Sequence, residues 1–188
     1  MDLYIKNMVC PRCIAAVEEL LEEQGISYTR VDLGHALLPA EVTGNRLLKL
    51  EAGLSQLGFE RLDDKKNQLT ELVKNEIIRL VHHSADNLPK KNLSDFLSAA
   101  LLYDYKHIST VFSEVTGTTI EKFYIRHKIE RVKELILYDQ LSLKEIAYQM
   151  GYSSEAYLSN QFKKVTGQTP SDFKKAEDHQ RIPLDQLL

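Results

Sequence analysis

The chain has 188 residues, 43% of them hydrophobic and 27% charged, which is an ordinary composition for one domain or two small ones. No apolar run is long enough to span a bilayer and the first residues lack a secretory signal, so we expect a soluble cytoplasmic protein with no membrane partner. The net charge is −3, but residues 1–64 hold six basic and eleven acidic side chains, whereas residues 65–188 hold 18 and 16. Any affinity for nucleic acid must therefore come from a local basic face.

The first third of the chain alternates strand-like and helix-like patterns. Strands are predicted at 3–8, 26–33, 35–42 and 59–62, and helices at 11–24 and 45–57. Pro39 predicts an edge position for the third strand, because proline cannot donate to a strand ladder. The order βαββαβ predicts a ferredoxin-like, split-βαβ domain over residues 1–64.

The rest of the chain, residues 65–188, predicts helices only. They are expected at 67–83, 93–102, 104–115, 119–138, 143–150, 154–165 and 170–178, with a polar loop at 84–92. Several helix ends carry typical capping residues. These are Asp104, Thr118 with Glu121, Ser142 with Glu145, Ser154, Thr169 before Pro170, and the C-terminal glycines Gly117 and Gly167.

Part of this helical region occurs twice. Residues 112–123 read FSEVTGTTIEKF and residues 162–173 read FKKVTGQTPSDF, with six identical positions at a spacing of fifty. Each copy predicts a helix, a tight turn and a second helix, which is the layout that places a helix in a DNA groove. The predicted fold class is α+β: a ferredoxin-like domain, then an all-α domain of two helix-turn-helix units joined by a long helix.

The second helix of each unit has a predicted outward face that suits base edges, thymine methyls and phosphates. Any one of these side chains is also typical of a solvated helix face, and it is the repeated unit that favours DNA binding. The predicted interior residues are Leu97, Ile108, Phe112 and Val115 in the first unit and Ile146, Ala147, Leu158 and Phe162 in the second. The predicted DNA-binding residues are Tyr105, Lys106, His107, Ser109, Thr110, Ser154, Glu155, Tyr157, Ser159, Asn160 and Lys163.

Two long motifs follow one another in the second half: KIERVKELI at 128–136 and LSLKEIAYQMGYSSEAYLSNQFKKVTGQTP at 141–170. In them residues 66–178 resemble the AraC/XylS family of bacterial regulators, whose pattern IA-x-x-x-G-[FY]-S, then F-K-x-x-x-G-x-[ST]-P, is met in full. The departures are Lys128, where the family often has Arg, and Glu155, whose carboxylate repels phosphate unless it accepts a hydrogen bond from cytosine N4. The resemblance implies a sequence-specific transcriptional regulator that binds double-stranded DNA and contacts RNA polymerase.

Both cysteines lie in one motif, Cys10-Pro11-Arg12-Cys13, at a predicted strand-to-helix turn. Two thiolates at this spacing can bind one soft metal ion: they satisfy linear Cu(I), whereas Zn²⁺ would need further ligands. Residues 1–64 resemble the heavy-metal-associated domain of copper chaperones and metal-pumping ATPases. The family's GMxCxxC stands here as Asn7-Met8-Val9-Cys10-Pro11-Arg12-Cys13, with Asn7 in place of Gly, and Gly58-Phe59 matches a turn near the metal loop.

Three interpretations of the first domain stay open. Cys10 and Cys13 form a metal-sensing site, with His35, His82 and His83 as candidate further ligands; or they form a thiol redox sensor, since CPRC also resembles a thioredoxin-type CPxC. In the third, the domain serves dimer contacts and its thiols are incidental. A separate hypothesis makes it a protein-interaction module that receives metal from, or docks on, a metal chaperone or metal-pump domain. His107 and His127 are expected at the surface or near phosphate, and no residue set predicts an enzyme.

Overall fold

The computed structural model describes residues 1–84, 88, 92–176 and 179–187, in an α+β arrangement that confirms the predicted class. In these ranges no helix has the length and apolar character needed to cross a membrane. The predicted loop at 84–92 and the end of the helix predicted at 170–178 lie largely outside the described residues.

The first part of the chain forms a four-stranded antiparallel sheet with two helices. The elements are β1 (Asp2–Lys6), α1 (Pro11–Glu23), β2 (Arg30–Asp32), β3 (His35–Leu37), α2 (Gly44–Gln56) and β4 (Glu60–Leu62). The strand order is β2-β3-β1-β4, so that each βαβ half encloses a strand of the other half, as the split arrangement predicts. One core packs the sheet on its two helices through Leu3, Ile5, Val17, Leu21, Leu50 and Leu54.

The predicted edge position of the third strand is wrong. β3 pairs with β2 on one side and with β1 on the other, so it is an inner strand. It ends at Leu37, and Pro39 therefore lies beyond the ladder, where its missing N–H costs no strand hydrogen bond.

The second part of the chain is helical. It contains α3 (Lys65–Ile78), which continues into a π-helical turn (Arg79–His83), then α4 (Leu93–Leu101), α5 (Tyr105–Thr116), α6 (Ile120–Tyr138), α7 (Leu143–Gln149), α8 (Glu155–Thr166) and α9 (Pro170–Lys175). A second core joins these helices around Ile108, Phe112, Phe123, Val132, Leu158 and Phe162. Most of the described helix ends lie within two residues of the predicted ends.

The predicted helix caps are confirmed with one exception. Asp104, Ser142, Ser154 and Thr169 each accept a hydrogen bond from the first turn of the following helix, and Gly117 and Gly167 are left-handed. The capping box predicted for Thr118 and Glu121 is wrong, because the N-cap of α6 is Thr119. Thr118 instead exchanges hydrogen bonds with Thr116, through its own N–H (3.3 Å) and its carbonyl (3.2 Å).

Helix α3 is shared by the two parts of the chain. Val73 and Ile77 belong to the helical core, whereas the Gln68 side chain donates to the Leu62 carbonyl at 2.8 Å and the Asn75 amide abuts Gly34. Three polar residues of α3 are buried: Thr70, Glu71 and Asn75. The division of the chain between residues 64 and 65 stays a prediction, since α3 packs on both sides of it.

Candidate nucleic-acid interface and thiol pair

The repeated sequence forms the same local structure twice. The Thr116 hydroxyl donates to the Phe112 carbonyl at 2.7 Å, and the Thr166 hydroxyl donates to the Phe162 carbonyl at 2.8 Å. Both hydroxyls also reach the carbonyl two residues ahead, at 3.2 and 3.1 Å. The repeat at a spacing of fifty therefore corresponds to one way of ending a helix, used in α5 and again in α8. We call these two the reading helices, because each is the second helix of a predicted helix-turn-helix unit.

The same duplication appears in the packing behind each reading helix. Phe112 meets Phe123 edge to face with ring centroids 5.5 Å apart, and Phe162 meets Phe173 in the same manner at 5.6 Å. All four rings are fully buried. The interior position predicted for Val115 is wrong: this residue lies in the last turn of α5 and is 39% exposed.

The predicted DNA-binding residues of the first unit lie on α5. Lys106, His107 and Thr110 are exposed, whereas Tyr105 packs partly on the helical core and Ser109 is half-buried. The Ser109 and Thr110 hydroxyls both donate to the Lys106 carbonyl, at 3.1 and 2.8 Å. Their oxygens keep acceptor capacity for a base amine, while their hydrogens are engaged within the helix.

Tyr103 is an additional candidate that sequence reasoning missed. Its ring stacks on that of His107 with centroids 5.8 Å apart and planes at 28°, and its side chain is half-exposed. Tyr103 directly precedes the N-cap of α5, which is the end of a reading helix that enters a groove. The aromatic residue just before a capped reading helix was the signal available in the sequence.

The second unit presents its predicted residues along α8. Glu155, Tyr157, Asn160 and Lys163 are exposed, and Ser159 is half-buried. Asn160 and Lys163 are three residues apart and therefore share one helix face. An amide that can bind adenine and an ammonium that can bind phosphate thus lie side by side.

Ser154 has a structural role in addition to the predicted one. Its hydroxyl oxygen accepts a hydrogen bond from the Tyr157 N–H at 3.1 Å and so begins α8. The hydroxyl hydrogen remains able to donate to a phosphate.

Lys128, which replaces the arginine common in the resembled family, lies behind the second unit. It is only 8% exposed, and its ammonium lies 3.8 Å from the centre of the Tyr152 ring and 5.5 Å from that of Tyr124. Burial lowers the pKa of Lys128 to about 8. Burial also raises the pKa of Tyr152, next to the turn of the second unit.

The two units differ in charge. The last turn of α8 carries Lys163 and Lys164, and the last turn of α9 carries two further lysines. Helix α5 has one lysine, Lys106, and one carboxylate, Glu114, so it carries no net positive charge; Glu114 pairs with Lys66 of α3 at 2.7 Å. Electrostatic attraction for a phosphate backbone is therefore concentrated in the second unit.

The thiol pair lies at the start of α1. Cys10 is the N-cap residue, and its Sγ is 3.5 Å from the Sγ of Cys13. Although burial acts against it, hydrogen bonds from Cys13 and Arg12 lower the pKa of Cys10, whereas burial raises the pKa of Cys13. Within the described residues no third His, Cys, Asp or Glu completes a metal-binding group. These donors fit a two-coordinate soft cation and do not fit tetrahedral Zn²⁺.

The loop before the thiols is held by the helical part of the chain. Asn7 is left-handed (φ 72°), which explains why glycine suits this position, and its amide donates to the Gly58 carbonyl at 3.1 Å. The Asn7 N–H donates to Glu71 Oε1 at 3.1 Å, and His83 Nε2 donates to the Val9 carbonyl at 2.8 Å. This loop therefore has direct partners in α3 and in the π-helical turn.

The other candidate metal ligands are engaged elsewhere. His35 pairs with Asp2 at 2.7 Å. His82 Nε2 and His127 Nδ1 are 3.2 Å apart in the helical core, and burial lowers the pKa of His82 to about 3 and that of His127 to about 4. The surface position predicted for His127 is wrong: it is fully buried, because it faces the π-helical turn rather than solvent.

Comparisons with known proteins agree with this architecture. Residues 97–176 match a family model described as a helix-turn-helix domain. The HTH-type transcriptional regulator GlxA of Rhizobium meliloti is 34% identical over 70 residues, 37% of this chain and 22% of that protein. An uncharacterized HTH-type transcriptional regulator of Staphylococcus aureus is 29% identical over 112 residues, 60% of this chain and 14% of its own length. The chain thus spans a small part of both relatives.

One solved structure shows the same fold in the helical part. The C-terminal domain of AraT, a response regulator from Geobacillus stearothermophilus, aligns with a TM-score of 0.50 at 19% identity, over 64% of this chain and 92% of that domain.

Proposed function

We propose that this chain is a DNA-binding transcriptional regulator of the AraC type. The observation that carries the proposal is the duplicated unit, in which α5 and α8 are capped, ended and packed in the same way on either side of α6. Two reading helices on one chain can enter successive major grooves without a second copy of the protein. Such a role requires access to DNA and therefore a cytoplasmic location.

In the proposed complex the two units have different tasks. Asn160 binds an adenine edge, Lys163 binds phosphate, and Glu155 accepts from a cytosine amine. In the first unit, His107 is positioned by Tyr103, and Lys106 binds phosphate. The excess of lysine in α8 and α9 makes the second unit the main source of affinity, while the first unit adds specificity.

Selection of bound fragments from a random DNA library, followed by anisotropy titrations between 50 and 200 mM salt, tests this role. Asn160→Ala should weaken binding about 5- to 150-fold and relax the preference at one base pair. Lys163→Ala should reduce the slope of log affinity against log salt by about 0.9. Lys49→Ala, on the exposed face of α2, is the matched control and should leave both unchanged. Selection that enriches no sequence would refute the proposal.

Glu155 provides a second, opposite test. Glu155→Gln removes a negative charge from the reading surface, so non-specific affinity should rise while discrimination at the contacted cytosine falls. A loss of both would mean that Glu155 does not face DNA.

We further propose that Cys10 and Cys13 bind Cu(I) and that binding alters regulation. The support is the pair of half-buried sulfurs 3.5 Å apart on a loop that the helical part holds directly. The bound ion would supply a two-coordinate link between the thiolates. Anaerobic Cu(I) competition titration of the reduced protein, with Cys10→Ser/Cys13→Ser as control, tests it: equal affinity in both proteins would refute the site.

A redox role is favoured by one observation, the opposite pKa shifts of Cys10 and Cys13, which are typical of an attacking and a partner thiol. Oxidised glutathione would accept two electrons and two protons as the thiols join in a disulfide. Alkylation trapping after equilibration in glutathione buffers distinguishes this role from metal binding. If the pair stays reduced at cytoplasmic ratios, redox sensing is excluded.

Partners beyond DNA also belong to the proposal. RNA polymerase is the expected partner of an activator, and a metal chaperone or metal-pump domain is the expected source of Cu(I). The acidic first domain, with a net charge of −5, favours a basic partner surface. Isothermal titration of the protein against a purified chaperone, with and without Cu(I), would show whether an encounter depends on the metal.

A further inference from the structure

Residues 179–187, which we call the strap, run back over α6. The buried carboxylate of Glu130, 2% exposed, holds the strap: Oε1 accepts from Arg181 Nε at 2.5 Å and from the Ile182 N–H at 3.2 Å. Its Oε2 accepts from Lys133 Nζ at 3.0 Å. A buried carboxylate is stable only when its oxygens are paired, so the first half of the strap is fixed to α6.

The other end of the strap reaches the loop before the thiols. Leu187 is 5% exposed. It lines a gap of only about 20 Å³ together with Asn7, Val9 and Phe123. Leu187 therefore lies beside the cysteine-bearing loop and α6, across a gap with room for about one water molecule, so that a shift of the loop toward Leu187 would press on its side chain.

Between its two attachments the strap is loosely packed. Most of its residues are exposed. A cavity of about 390 Å³ separates it from α6 and from the end of α8, with Ile129, Val165 and Ile182 in its lining. A segment with few buried contacts opens at a low free-energy cost. If Leu187 left its buried position, the half of the strap that ends at Leu187 would therefore come free without unfolding of the helices.

Binding of a metal by the thiols would disturb the buried position of Leu187. A metal–thiolate bond of about 2.3 Å implies sulfurs roughly 4.6 Å apart in a linear site. The Cys10 and Cys13 sulfurs are 3.5 Å apart, so they must separate by about 1 Å. Cys10 directly follows Val9, which shares the narrow gap with Leu187.

We propose that the strap is a latch whose Leu187 end is unseated when Cys10 and Cys13 move apart to bind a soft cation, which releases the second helix-turn-helix unit from the first domain. The other end of the strap connects it to the second unit, because it packs on α9: the His179 and Phe173 rings are 5.2 Å apart. The consequence for DNA rests on the proposed function, but the latch itself is defined by the contacts of Leu187. Coupling is reciprocal, so an unseated strap also strengthens cation binding by the same factor.

The test uses the full chain and two variants of it, each with one side chain of the strap shortened to alanine. Leu187→Ala removes the seated side chain, and Ile182→Ala removes an apolar side chain that is half-exposed, as the matched control. We expect Leu187→Ala to raise the rate at which iodoacetamide alkylates the reduced thiols about 5- to 150-fold, the range of ordinary coupling energies, and Ile182→Ala to leave it unchanged. Equal rates in the two variants would overturn the latch.

Hydrogen exchange of the strap, measured by mass spectrometry, tests the coupling in the opposite direction, from cation binding to the strap. One equivalent of Cu(I) under anaerobic conditions should speed exchange in the half of the strap that ends at Leu187 (183–187) in the wild type and not in Cys10→Ser/Cys13→Ser. If Cu(I) binds and exchange in the strap does not change, the latch is wrong while metal binding stands. If Cu(I) does not bind, the metal proposal and the cation-driven release both fail, and the alkylation rates show only whether Leu187 holds the loop before the thiols.

Discussion

Replacement of Lys128 by methionine tests how the buried ammonium behind the second unit is tolerated. The shift of its pKa from 10.5 to about 8 corresponds to about 3 kcal/mol against the charged form. Attraction to the Tyr152 ring, with the ammonium 3.8 Å from the ring centre, favours the charged form by about 1–2 kcal/mol. Methionine has a similar length and carries no charge. Lys128→Met should therefore raise the free energy of unfolding by about 1–2 kcal/mol at pH 7.

The assay is urea unfolding followed by far-ultraviolet circular dichroism at pH 7 and pH 10. The folded-state pKa of Lys128 lies below its unfolded value, so the unfolded state binds more protons between about pH 8 and 10.5. Wild-type stability should therefore rise through this window relative to Lys128→Met, and the advantage of the variant should shrink. Lys122→Met, at an exposed position of the same helix, should change stability by less than about 0.5 kcal/mol. A destabilised Lys128→Met protein at pH 7 would show that ring attraction outweighs burial.

Two further perturbations probe the contact between α3 and the first domain and the buried histidine pair of the helical core. Gly34→Ala would place a Cβ 1.9 Å from the Asn75 amide at φ +74°, and should lower the free energy of unfolding in urea by about 3 kcal/mol or more. Gly25 is also left-handed but has open space around it, so Gly25→Ala should lower the free energy of unfolding by about 1–2 kcal/mol. Equal losses in the two variants would mean that the Asn75 side chain moves aside. His82 and His127 have folded-state pKa values of about 3 and 4, below the unfolded value, so stability should fall as pH drops from 6.5 toward 4, by up to about 1.4 kcal/mol per pH unit for each histidine. His82→Gln should halve that slope in unfolding measured across this range, and an unchanged slope would contradict the assignment.

Local signals in the sequence were sufficient for most helices. Asp104, Ser142 and Thr169 are short polar residues directly before an apolar periodic run, and each caps the helix that follows. The error at Thr118 arose because its spacing to Glu121 satisfies the capping-box pattern although its backbone already closes the turn after α5. The repeat itself contained the answer, since Thr169, the true cap in the second copy, corresponds to Thr119.

Contacts between residues far apart in the chain could not be predicted from the periodicity of apolar residues. The polar side chains of Glu71 and Asn75 are typical of a solvated helix face, and the periodicity of α3 predicts a single apolar stripe. Their burial depends on the first domain packing across them, which no local signal reveals. The strap was missed for the same reason: its partner Glu130 lies 51 residues from Arg181.

The positions of the candidate site residues follow from the sequence to different degrees. The outward residues of α8 follow from which positions the core must take, so Asn160 and Lys163 could be placed from periodicity alone. Tyr103 could not, because a residue outside the helix has no periodic position. The thiol pair was visible as a motif, whereas the contact of its loop with His83 required the fold.

Helix α3 has a consequence for how this chain can be divided or recombined. A fragment ended before Lys65 would leave the Leu62 carbonyl, Gly34 and the Asn7 N–H without their cover, whereas a fragment extended through the helix would expose Val73 and Ile77 to water. Neither half can therefore be transferred to another protein by dividing the chain at one point without exposing groups that are now covered. Replacement of the first domain by gene fusion would succeed only where the donor brings its own version of this helix.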